Sequence, residues 1–77
     1  MNKYLVCVRR GNGSKNLMEI IYSPHMSSPY IKKAEYTVLA EADGRNEAFI
    51  TVKNIIENFL TENPGYDFSN FKEWSLR

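Results

Sequence analysis

The stretch from Gly44 to Asn63 constrains this chain more than any other. Wound at about 100° per residue, Ala48, Phe49, Val52, Ile55, Ile56, Phe59 and Leu60 fall in one stripe about 140° wide, the width of a helix lying on a core. Thr51, Asn54, Glu57 and Asn58 fill the opposite side. Asp43 or Gly44 is placed to cap the start, and Asn63-Pro64-Gly65 cannot continue a helix. Ile50 breaks the pattern by standing on the polar side near Lys53, Asn54 and Glu57, which makes it a candidate contact residue.

A helix of this kind needs a surface to lie on, and the segments before it read as strands. Lys3–Arg9 is rich in β-branched and aromatic residues. It is followed by a turn around Asn12-Gly13, a strong hairpin signal, and by a return strand from Leu17 to Tyr22. With a tight two-residue turn, Val8 faces Leu17, Val6 faces Glu19 and Tyr4 faces Ile21. Ser23–Lys33 holds Pro24, Pro29 and several serines and reads as a loop. Ala34–Ala42 reads as a third strand, whose Ala40 and Ala42 let a helix sit close. Phe71–Leu76 alternates well enough to be a short last strand. The expected order is β-β-β-α-β, a single α+β domain over residues 1–77 with one amphipathic helix on one face of a small antiparallel sheet.

One helix covers one face. Leu5, Cys7, Met18, Ile20, Val38 and Ala40 carry no charge and are the natural choice for it. Tyr4, Val6, Val8, Leu17, Ile21 and Leu39 then remain on the other face, where burying each contributes roughly 1.5–3 kcal/mol. Something is expected to cover them. The aromatic tail (Tyr66, Phe68, Phe71, Trp74), a second copy in a homodimer, or a different partner would each serve.

Charge is close to balanced but unevenly laid out. Residues 1–33 carry Lys3, Arg9, Arg10, Lys15, Lys32 and Lys33 against Glu19 alone, a net +5. Residues 34–77 carry Arg45, Lys53, Lys72 and Arg77 against eight carboxylates, a net −4. Either the halves neutralise one another in the fold, or a basic loop end faces an anionic partner. The latter would use Arg9, Arg10, Lys15, Lys32 and Lys33, with Tyr22, His25 and Tyr30 available for stacking on bases. Pro29–Lys33, a sheet and a C-terminal helix resemble part of a double-stranded-RNA-binding domain. The helix here begins Gly44-Arg45-Asn46-Glu47, however, and lacks that family's lysine-rich start.

Motifs for chemistry are thin. Gly11-Asn12-Gly13-Ser14-Lys15 lacks P-loop spacing, and no helix pattern follows it to receive a phosphate. His25 is the only histidine and Cys7 the only cysteine, too few ligands for a zinc site within one chain. Cys7, in mid-strand, reads as a small core residue. Glu41, Asp43 and Glu47 cluster where the helix dipole favours carboxylates. A single cysteine also points to a reducing cytoplasm. The apolar run Tyr4–Val8 is too short for a signal peptide or a membrane span. The expectation is a cytoplasmic, non-enzymatic protein with no cofactor, metal or membrane.

A short chain opening Met1-Asn2-Lys3-Tyr4-Leu5-Val6, then a hairpin, then Tyr36-Thr37-Val38-Leu39-Ala40-Glu41-Ala42 running into a helix with Glu47-Ala48 near its start, resembles in layout many small phage-encoded proteins. Anti-CRISPR and other host-takeover inhibitors are among them. The resemblance is one of layout over about residues 1–60 and carries no residue roles. It implies a stoichiometric inhibitor that binds a host protein or nucleoprotein complex. The residues expected to bind the partner are the basic and stacking set (Arg9, Arg10, Lys15, Tyr22, Tyr30, Lys32, Lys33) and the apolar set (Tyr4, Val6, Val8, Ile21, Ile50). A small nucleic-acid-binding protein using the basic loops is the alternative.

Overall fold

The computed structural model describes residues 3–10 and 16–77. The expected Asn12-Gly13 turn and Lys15 lie outside the described residues. Strands β1 (Tyr4–Arg9), β2 (Glu19–Tyr22) and β3 (Tyr36–Ala42) form an antiparallel sheet in the order β2-β1-β3. Helices α1 (Pro29–Lys33), α2 (Arg45–Glu62) and α3 (Phe71–Ser75) complete the α+β fold, with a 3-10 turn over Ser23–Ser27.

Helix α2 has the bounds its pattern predicts. Gly44 is its N-cap in extended conformation and Asn63 its C-cap. Asp43 does not cap the helix. Its own backbone N–H donates to Glu47 Oε2 at 3.1 Å, the carboxylate reaching back from the first turn. Ala48, Val52, Ile55, Phe59 and Leu60 face the sheet as expected. Phe49, at the margin of the stripe, does not: it is 56% exposed.

Which sheet face lies under α2 differs from the expectation. The observed register pairs Leu5 with Ile21, Val6 with Ile20 and Cys7 with Glu19, one residue out from the tight-turn register. A slip of one residue moves every β2 side chain to the other face. Met18 and Ile20 now share a face with Val6, and Glu19 leaves it. The physical reason lies in Glu19. In the expected register it opposes Val6, which is wholly buried. In the observed one it accepts a hydrogen bond from the Tyr36 hydroxyl at 2.5 Å on the other face. A charged group thus avoids burial without a partner.

A bulge completes the rearrangement. β1 pairs Val6 with Ala40 but Cys7 with Val38, so Leu39 is the extra residue and joins Val8 beneath the helical layer. Val6 and Val8, expected on the face away from α2, are therefore core residues beneath it.

The opposite face is covered by residues 23–34, which are not an open loop. Pro24 and Pro29 each stand at the start of a helical turn, where a missing N–H costs nothing. Ser23 N–H donates to the Lys3 carbonyl at 2.7 Å, and Arg10 N–H to the Glu35 carbonyl at 3.1 Å, so the segment crosses the sheet from one end to the other. Met26 and Ile31 pack on Leu5, Cys7 and Ile21.

The tail is not a last strand, and of the residues it is expected to cover it packs with Val8 and Leu39, on the α2 side of the sheet and not on the opposite face. Phe71–Ser75 is helical, and Phe68, Phe71 and Trp74 surround Phe59 with ring centroids 5.1–5.4 Å away. Phe71 and Trp74 are three residues apart, a spacing that puts both on one side of a helix but on opposite faces of a strand. Gly65, at φ 106°, supplies the backbone turn that brings the tail back along α2. The Trp74 indole N–H then donates to Glu62 Oε2 at 3.1 Å. Tyr66 stays in solvent.

Because Phe71 is 1% exposed within this aromatic cluster, Phe71→Ala is expected to destabilise the fold by about 3–5 kcal/mol, a large part of a small domain's stability. Denaturant unfolding followed by Trp74 fluorescence measures this. An unchanged midpoint would mean that the tail is not core.

Candidate contact surfaces

Helix α2 packs over β1 and β3, leaving β2 beside it rather than under it. This offset opens a groove of about 650 Å³ between the edge strand and the N-terminal half of α2. Ile20, Tyr22 and Tyr4 form one wall, Arg45, Phe49 and Val52 the other, and His25 stands at one end. The Tyr4 and Tyr22 rings lie 5.1 Å apart at 40°, and His25 meets Tyr22 edge-on at 5.4 Å. Phe49 overhangs the groove, and its neighbour Ile50 is 57% exposed on the outer side of α2. Two large apolar side chains over half exposed and adjacent in sequence are the kind of surface that a protein partner covers.

The basic residues are only partly brought together. The Arg10–Glu35 backbone bond sets Arg10 beside the end of α1, which carries Lys32 and Lys33, and all three are exposed. Tyr30, on the same short helix, is 86% exposed. Tyr22 and His25 stand at the opposite end of the sheet, beside Tyr4. Lys3, at that end too, is paired with Asp43 at 3.1 Å. That hydrogen bond and the Asp43 charge hold the Lys3 ammonium above its ordinary pKa. Arg9 is half-buried, pairs across the sheet with Tyr36, and keeps Nε buried without a hydrogen-bond partner.

The apolar half of the expected binding set is largely removed from contact. Val6, Val8 and Ile21 are buried by the chain itself, and Tyr4 is half-buried with one side on the groove. Ile50 is exposed as expected. Sequence reasoning missed Phe49 and Arg45. The available signal was Phe49's place at the margin of the apolar stripe, where a helix set off-centre on a narrow sheet leaves a side chain overhanging.

Among the described residues, no three His, Cys, Asp or Glu side chains gather into a set that could hold a metal ion. No helix there is long and apolar enough to cross a membrane. Comparison with protein-family models, curated proteins and solved structures finds no match to this chain.

On the second face, burial first and then the Glu19 charge push the Cys7 thiol up to about 11 from an ordinary 9.0. The bond to Glu19 likewise raises the Tyr36 phenol, which must keep its proton to donate. Above pH 9 the unfolded chain therefore holds fewer protons than the folded one, so stability falls as pH rises toward 11. Denaturant midpoints measured from pH 7 upward are expected to be flat and then to decline. Over the same range Cys7 is expected to resist thiol reagents until the chain unfolds, and rapid labelling at pH 8 of the folded protein would contradict its burial.

Proposed function

We propose that this chain works by macromolecular contact, binding a protein partner and blocking it stoichiometrically. In line with its resemblance in layout to small phage-encoded inhibitors, that partner is a host or defence protein or nucleoprotein complex. The observation that carries the reading is the pair Phe49 and Ile50, adjacent in sequence and both more than half exposed beside an open groove. Exposed apolar area of this kind, flanked by polar residues, is typical of interface anchors. Arg45 and the Tyr22 ring add side chains of the types that dominate binding energy.

A second reading has its own support. Arg10, Lys32 and Lys33 at one end of the sheet, with Tyr30 in solvent beside them, suit an anionic strand and a stacked base. The net charge of +1 makes such binding weak, and its phosphate contacts make it salt-sensitive.

Affinity capture from bacterial lysate separates the two. The contact reading expects a protein retained in stoichiometric amount by the wild type and lost with Phe49→Ser/Ile50→Ser. Both positions are surface ones, so that variant is expected to keep its stability within about 1 kcal/mol. Retention of nucleic acid instead, released by modest salt and lost with Arg10→Ala/Lys32→Ala/Lys33→Ala, would favour the second reading over the first.

A further inference from the structure

We propose that the groove receives an extended peptide segment of the partner, added as a further strand along the open edge of β2, with an apolar side chain against Phe49 and a carboxylate at Arg45. This rests on the contact reading above and names its mode.

Three features meet at this place. The first is the sheet edge. β2 has β1 on one side and, among the described residues, no strand on the other. The bond from Ser23 N–H to the Lys3 carbonyl sets the phase of the β1–β2 ladder. Antiparallel pairs alternate between those that exchange backbone bonds and those that do not. The Lys3–Ser23, Leu5–Ile21 and Cys7–Glu19 positions are the bonded ones, so the Ile20 N–H and C=O turn away from β1 toward the edge. An unpaired edge of this kind is a template for an incoming strand.

The second is the groove beside that edge. Side chains of an added strand alternate between the two faces of the sheet, so every second one turns to the α2 side. There it meets the space of about 650 Å³ walled by Ile20, Phe49 and Val52. Main-chain bonds to Ile20 would supply affinity, and the groove would supply selection for an apolar residue.

The third is charge. Arg45, in the first turn of α2, is exposed on the groove wall. Among the described residues no carboxylate pairs with it: Asp43 is engaged by Lys3, and Glu47 by the Asp43 N–H. A carboxylate on the incoming segment completes this guanidinium with a charge-assisted, bidentate bond. A nucleic-acid strand suits the same place poorly, because its run of phosphates would meet one guanidinium, Arg45, in the groove lining, whereas the basic cluster of Arg10, Lys32 and Lys33 lies at the other end.

The test pans the intact protein against a displayed library of short random peptides, then uses the enriched peptides as synthetic probes. Enrichment of sequences with apolar residues at every second position and an Asp or Glu in fixed register is expected. So are amide shifts at Ile20, Phe49 and Arg45 on titration. Replacing single peptide N–H groups by N-methyl is expected to weaken binding about tenfold at alternate bonds and hardly at all between them. Arg45→Glu is expected to switch the selected charge to Lys or Arg. N-methyl sensitivity without that alternation, shifts centred on Arg10 and Lys33, or Ile20 shifts that grow with protein concentration alone would each overturn the proposal, the last by showing a second copy at the edge. If no peptide is enriched while a lysate protein is still lost with Phe49→Ser/Ile50→Ser, strand addition is wrong and the contact reading stands. If neither binds, both fall.

Discussion

β1 is the constraint on which the remainder of this structure depends. It is the middle strand of a three-stranded sheet, and Leu5, Val6, Cys7 and Val8 are all buried, so both of its faces must be sealed. A chain of 77 residues has one long helix, and that helix seals only one side. The solution divides the labour. α2 and the aromatic tail cover Val6 and Val8, while the turns between Ser23 and Ala34 lay Met26 and Ile31 over Leu5 and Cys7. Leaving either face wet would forfeit several side chains at roughly 1.5–3 kcal/mol each, comparable with the whole stability of a domain this small.

That division explains why the candidate contact surface lies at an edge and not on a face. With both faces sealed, the unfinished parts of the sheet are its two edges, and at the β2 edge the side of α2 that overhangs it is unfinished too. Phe49 is exposed because α2 is centred on β1 and β3, and the sheet does not extend far enough to meet it. The layout also separates two surfaces of different character. The apolar and aromatic groove lies beside Tyr22 and Arg45, and the basic end lies at Arg10, Lys32 and Lys33. Lys3 and Asp43 neutralise one another at the groove end.

Much of this was legible from residues alone, because the strongest signals are periodic or obligatory. The bounds of α2 follow from its stripe and from Asn63-Pro64-Gly65, and the three strands follow from β-branched and aromatic runs. Of the face expected under the helix, Met18, Ile20 and Ala40 do lie there, whereas Leu5 and Cys7 are on the opposite face and Val38 is exposed. What failed was the parity of the register: a shift of one residue, together with the bulge at Leu39, exchanged the members of the two faces. That error made Val6, Val8 and Ile21 look available to a partner when the chain covers them itself. Pro24 and Pro29 signal a loop in the sequence, yet each begins a helical turn. The tail alternates along Phe71–Leu76 as a strand would, but the three-residue spacing of Phe71 and Trp74 lets both rings meet Phe59 only if the segment is helical. The candidate groove was less legible still, because Phe49 and Arg45 gain their meaning from the helix's offset on the sheet, which no local pattern records.

Whether one chain seals both sides of its central strand is most directly measured by isotope-filtered nuclear Overhauser spectra on a mixture of labelled and unlabelled protein. The account predicts contacts from the Phe59 ring to the Val8 methyls, and from Met26 and Ile31 to the Leu5–Cys7–Ile21 cluster, all arising within a single chain. If either set appeared only between labelled and unlabelled chains, a second copy would be closing that face, and the division of labour described above would be contradicted.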